Sequence, residues 1–111
     1  MIITKELAKS ISWSIIFVNP DCERLITDGT PSWGVMYGAE HEIYIDKSLG
    51  TQTKYKTLMH ELTHAFIFDT QAKEDDLYTE EELCNFVSLY GYLIVDLAEE
   101  IMDEYLEGKE N

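Results

Sequence analysis

The chain has 111 residues, 45% of them hydrophobic and 27% charged, which is typical of one globular domain. Its formal net charge of −14 leaves no basic face for phosphates, so we expect no direct binding to nucleic acid. Short hydrophobic runs, the lack of a secretory signal and two isolated cysteines favour a cytoplasmic protein without a membrane partner.

The first fifty residues predict a short helix and a small sheet. Thr4–Ile11 matches a short helix in which Thr4 is the N-cap and Leu7 lies on the apolar face with Ile11. Runs of β-branched and aromatic residues then predict four strands. These strands are Trp13–Val18, Arg24–Thr27, Trp33–Tyr37 and Glu42–Asp46. The charge that ends the last strand suits the margin of a sheet.

Turn residues separate these strands and so support their bounds. The turns are predicted at Asn19–Asp21, at Asp28–Ser32 and around Gly38–Glu40. The third strand, Trp33–Tyr37, is a candidate edge strand above a cleft, where it would pair with an extended peptide. An ordinary core strand is an equally good interpretation of the same residues.

After Gly50 the apolar residues recur at helical spacing. Leu58, Leu62 and Phe66 predict a helix from about Thr53 to Asp69, with Thr51 or Thr53 as its cap. The polar and acidic stretch 71–78 is predicted to be a loop.

A second helix is predicted from Thr79 to about Glu107, followed by a frayed tail. Its first turn is acidic, which complements the helix dipole. Its predicted buried stripe consists of Leu83, Val87, Tyr90, Ile94, Leu97 and Ile101. The whole chain, residues 1–111, is therefore predicted to be one α+β domain with a small N-terminal antiparallel or mixed sheet followed by two packed helices.

One motif in the first helix points to chemistry. His60 and His64 are four residues apart, so a helix places both imidazoles on one face, within reach of one metal ion at about 2.0–2.1 Å. Glu61 is turned aside from that ion and is placed to take a proton from a water that zinc activates. Thr57–Phe66 holds no other charged residue, whereas an accidental surface match would usually have charged neighbours. The motif predicts one zinc ion per chain and Glu61 as the catalytic residue; two ordinary histidines on a helix are the alternative.

A catalytic zinc site needs a third protein ligand and an open position. The metzincin pattern is excluded because Ile67 and Thr70 stand where it requires glycine and histidine, and His41 lies upstream among the strands. A carboxylate at the start of the second helix remains, and we predict Glu81, with Glu82 as the alternative. Glu81 shares a helical face with small or polar residues that suit a site: Cys84, Asn85 and Ser88.

Two segments together resemble a known family. Thr57-Leu-Met-His-Glu-Leu-Thr-His-Ala-Phe and Thr79-Glu-Glu-Glu-Leu-Cys-Asn-Phe-Val-Ser are similar to the ImmA/IrrE-type zinc metallopeptidases, above all their short forms encoded by phages and mobile elements of Gram-positive bacteria. The resemblance covers residues 33–92. The longer members carry an Ala-Asn-Phe-Ala-type run after the glutamate, and a DNA-binding or sensor domain, that this sequence lacks.

The resemblance implies a gluzincin-like site. His60, His64 and an acid of the second helix are its ligands, and Glu61 is its general base. It also implies a substrate, a helix-turn-helix repressor that controls phage or mobile-element genes. The sequence thus predicts a zinc metallo-endopeptidase that hydrolyses a protein or peptide. A non-catalytic, zinc-containing acidic protein that binds a regulatory partner is the alternative, which the net charge of −14 motivates.

Overall fold

A computed structural model describes residues 1–70 and 79–110 and confirms the α+β class. The predicted loop at 71–78 lies outside the described residues. In chain order the elements are strands β1 (Ile2–Glu6), β2 (Ser12–Val18), β3 (Ile26–Thr27), β4 (Thr30–Pro31), β5 (Gly34–Tyr37) and β6 (Glu42–Asp46), then helices α1 (Thr51–Thr70) and α2 (Glu80–Glu110). The main sheet has the order β1-β2-β6-β5, and β3 and β4 form a separate hairpin.

The main sheet is mixed, because β2 and β6 run parallel whereas β1 and β5 each pair antiparallel with their neighbour. Alternate side chains of the two central strands are buried, as a strand with one covered face requires. The helices cover that face. The buried hydrophobic residues of these two strands are Trp13, Ile15, Phe17, Ile43 and Ile45.

The predicted helix at Thr4–Ile11 is wrong. Ile2–Glu6 is instead a strand, which pairs along the whole of its length with β2, and Ile3 on it is buried. A tight turn follows, closed by a hydrogen bond from the Leu7 amide to the Ile11 carbonyl at 2.9 Å. Leu7 and Ile11 are therefore close neighbours across a turn and not on one face of a helix.

Two of the predicted strands differ in detail from the structure. Only Ile26–Thr27 of the second strand is extended, because Glu23–Leu25 forms a 3-10 turn. The last strand, β6, lies between β2 and β5, so its predicted place at the sheet margin is wrong. The charge of Asp46 serves the next turn instead, because its Oδ1 accepts hydrogen bonds from the amide and hydroxyl of Ser48 at 2.8 and 2.6 Å.

Helix α1 begins two residues before its predicted start and ends one residue beyond its predicted end. The Gly50 carbonyl accepts the first hydrogen bond of the helix, from the Lys54 amide at 2.8 Å. Gly50 therefore occupies the cap position, and the predicted threonine caps are wrong.

Helix α2 begins after Thr79, as predicted. Thr79 and Glu82 form a capping box, in which the Glu82 amide donates to Thr79 Oγ1 and the Thr79 amide donates to Glu82 Oε1, both at 3.2 Å. The helix continues to Glu110, three residues beyond its predicted end. No helix in the described part of the chain is long and apolar enough to cross a bilayer.

The predicted buried stripe of α2 is wrong at Leu83 and Val87 and correct from Tyr90 onward. Leu83 and Val87 are 54% and 57% exposed. The helix packs there through Phe86 and Tyr90, whose rings lie 5.2 Å apart, and Phe66 of α1 lies 5.6 Å from Tyr90. The core residues of α2 include Phe86, Ile94, Ala98, Ile101, Met102 and Tyr105.

Candidate metal centre

The two motif histidines converge in space. Their Nε2 atoms are 3.2 Å apart, and both side chains are exposed on α1. Two ligands of one tetrahedral ion with bonds of about 2.0–2.1 Å are about 3.3 Å apart. The His60 and His64 nitrogens therefore have a separation that fits a shared zinc ion.

Glu61 lies between the histidines in sequence but is buried, with 7% of its surface exposed. Burial raises the pKa of its carboxyl group, because the charged form loses hydration, and the nearby imidazoles of His64 and His60 oppose this shift. A carboxylate whose pKa is raised is a stronger base, which suits proton transfer near neutral pH.

Strand β5 approaches α1 closely at Gly34. An ideal Cβ at Gly34 would lie 2.8 Å from Thr57 Cγ2 and 3.1 Å from Glu61 Cγ. Any residue other than glycine would collide with the Thr57 side chain at this position. Gly34 therefore helps to define where the Glu61 side chain lies. Gly34 is not among the residues that the sequence motifs single out, although a glycine inside a strand is a known signal of close approach.

A groove runs over the motif between α1 and the strands. One part, of about 480 Å³, is lined by Trp33, Thr57, His60 and their neighbours, and a second part, of about 300 Å³, reaches His64. Both parts share Ser32, Gly34 and Glu61, so Glu61 lies where the two meet.

Strand β5 forms one wall of this groove. It pairs with β6 alone within the described sheet, so it is an edge strand, as one of the two interpretations of Trp33–Tyr37 predicted. An edge strand presents backbone N–H and C=O groups that an extended peptide can pair with.

The structure places the candidate third ligands less favourably. Within residues 1–70 and 79–110, no group of three or more histidine, cysteine, aspartate or glutamate side chains is arranged to hold a metal ion. Glu81 is exposed in the first turn of α2, and Cys84 and Asn85 are exposed one turn further along the helix. The carboxylate of Glu82 is engaged with Thr79 in the capping box. Glu81 as the third ligand therefore stays a prediction.

The remaining histidine belongs to a different cluster. His41 packs edge-on against Trp13 at 5.0 Å, and its Nε2 is 3.7 Å from Asp69 Oδ1. The Trp13 indole donates a buried hydrogen bond of 2.7 Å to Asp69 Oδ2. These contacts hold the end of α1 against the sheet. His41 therefore belongs to this cluster and not to the His60 and His64 pair.

Comparison with protein-family models, with curated proteins and with solved structures found no match. The resemblance to ImmA/IrrE-type metallopeptidases therefore rests on the two sequence segments alone and stays a prediction.

Proposed function

We propose that this chain is a zinc-dependent endopeptidase. The observation that carries the proposal is the pair of His60 and His64 nitrogens, 3.2 Å apart on α1, beside the buried carboxyl group of Glu61. Bound zinc would supply a Lewis acid that polarises the peptide carbonyl and makes water a better nucleophile at neutral pH.

The residues of the chain divide the remaining work. His60 and His64 would hold the ion, and Glu81 would complete the ligand set. Glu61 takes a proton from the attacking water and passes it to the nitrogen of the leaving amine, which is the general base and then general acid role. The raised pKa of Glu61 supports this role, because the group holds a proton more tightly than an exposed glutamate does.

Strand β5 orients the substrate. An extended peptide that pairs with its free edge would lie along the groove, with its backbone across Glu61. The sequence resemblance extends the proposal to a helix-turn-helix repressor of a phage or mobile element as the substrate.

The test compares four proteins on a library of internally quenched fluorogenic peptides with added zinc: wild type, Glu61→Gln, His64→Ala and His41→Ala. Glu61→Gln should lose activity by about 100-fold or more while it still binds zinc. His64→Ala should lose both properties. His41→Ala is the matched control and should keep both, because His41 packs on Trp13 instead.

Hydrolysis of the peptides at equal rates by wild type and Glu61→Gln would contradict the proposed peptidase activity. An absence of hydrolysis by both proteins would contradict it as well. The chain would then be the non-catalytic, zinc-containing acidic protein that binds a regulatory partner. The net charge of −14 favours this alternative.

A further inference from the structure

A second groove lies on another side of α1, along its contact with α2. It encloses about 430 Å³ and is mostly apolar. Met59 and Thr63 of α1 form one wall, and each precedes a motif histidine by one residue, a turn of about 100° around the helix. The α2 residues that line this second groove are Leu83, Phe86, Val87, Gly91, Tyr92, Ile94 and Val95.

The fold itself does not need the outer part of this groove. Leu83, Val87 and Tyr92 are 54%, 57% and 66% exposed, whereas Phe86 and Ile94, which also line the groove, are buried and belong to the core. Soluble proteins rarely leave apolar side chains contiguous on the surface, and such patches with a polar rim mark interaction sites.

Gly91 is a second unexplained feature of this groove. Glycine inside a helix costs about 1 kcal/mol relative to alanine. Within residues 1–70 and 79–110 no close approach requires it, because an ideal Cβ would meet only the Val87 Cγ1 atom, at 3.3 Å, and the Val87 side chain is mostly exposed. The missing side chain leaves a depression in the groove, where a partner can approach the helix backbone.

The rim of the second groove is acidic where α2 forms it. The sequence has no lysine, arginine or histidine in residues 74–108, and Glu80, Asp96 and Glu99 are exposed within one turn of groove residues. Tyr55 lies one turn before Met59 on α1. Burial raises the pKa of its hydroxyl group, and the negative charges of Glu99 and Asp96 raise it further.

We propose that this groove docks an amphipathic helix of a protein partner, with apolar side chains in the groove and lysines or arginines against the acidic rim. A second copy of this chain is disfavoured, because it would bring another charge of −14 and an equally acidic α2 to the contact. The inference does not depend on the proposed peptidase, since no motif histidine and no part of Glu61 lines this groove.

The test measures the binding of a fluorescent synthetic peptide to the full chain by anisotropy. The probe is a helical peptide of about 18 residues with a leucine stripe flanked by lysines, and the control peptide carries glutamates in place of the lysines. We expect the basic peptide alone to bind, with an affinity that falls as NaCl rises from about 50 to 500 mM.

The matched protein variants are Leu83→Asn and Leu89→Asn. Both leucines are exposed on α2, at 54% and 62%, but only Leu83 lines the groove. Leu83→Asn should weaken peptide binding about tenfold or more, and Leu89→Asn should leave it unchanged. Gly91→Leu should block binding by filling the depression, and it places a good helix former in the helix, so folding is not at risk.

Three results would overturn the proposal. In the first, the Leu83→Asn and Gly91→Leu proteins bind the basic peptide as tightly as wild type does. Another is equal binding of the glutamate peptide. The third is a wild-type dimer in sedimentation that Leu83→Asn converts to a monomer, since a second copy would then cover the groove.

Discussion

Substitution of Gly34 by alanine probes the close approach of β5 to the motif helix. The added methyl group would lie 2.8 Å from Thr57 Cγ2, 3.1 Å from Glu61 Cγ and 3.2 Å from Ile45 Cδ1. Real Cβ atoms essentially never come closer than 3.0 Å to another heavy atom, so β5 and α1 must move apart or Thr57 must change its position. Thr57 has little freedom, because it is buried and its hydroxyl donates to the Thr53 carbonyl at 2.8 Å.

The expected cost follows from two opposing terms. Overpacking of this kind costs about 1–3 kcal/mol. The smaller entropy of the unfolded alanine chain offsets about 0.4–1 kcal/mol of it. The free energy of unfolding should therefore fall by about 1–2 kcal/mol, which for a domain of this size lowers Tm by about 4–16 °C.

The assay is thermal unfolding followed by circular dichroism, with a chelator present so that metal binding does not contribute. Gly91→Ala is the matched control, because it makes the same change inside α2, where only the exposed Val87 must give way. It should raise the free energy of unfolding by up to about 1 kcal/mol, through helix propensity. A Gly34→Ala protein as stable as wild type would refute the packing of β5 on Glu61.

Three further predictions concern single side chains. In metal-free protein at pH 7, Glu61→Gln should unfold at a higher temperature than wild type. Burial raises the pKa of Glu61, so the ionised group destabilises the fold. The difference in unfolding temperature between the two proteins should vanish as the pH falls below about 4.5, where Glu61 is protonated in both the folded and the unfolded state. Trp13→Phe should lower the free energy of unfolding in urea by about 1–3 kcal/mol, because it leaves buried Asp69 without its indole donor. Thr79→Ala should lower the free energy of unfolding by about 1 kcal/mol through loss of the cap, and a decrease below about 0.3 kcal/mol would contradict the capping box.

Local patterns in the sequence predicted the elements whose structure depends on local spacing. The helix that carries His60 and His64, and the start of the second helix at Thr79, depend on neighbours within four residues, and both were correct apart from the ends of α1. The strand at Ile2–Glu6 was missed because its hydrogen bonds run to β2, a pairing that the helical spacing of Leu7 and Ile11 conceals.

Faces and contacts were harder to predict than elements. Leu83, Val87 and Phe86 all fit helical spacing. The packing of α2 on α1, where Phe66 meets Tyr90 beside Phe86, decides that Phe86 is the buried one. The contact of Gly34 with Glu61 joins residues far apart in the sequence, so it follows from the sheet order and not from any motif.

The zinc content of the purified protein, measured by inductively coupled plasma mass spectrometry, tests the central claim most directly. Wild type and His41→Ala should each hold about one zinc per chain, and His64→Ala and Glu81→Ala should hold much less. A folded wild-type chain that takes up no zinc from solution, or one that keeps it after loss of His64, would contradict the metal centre.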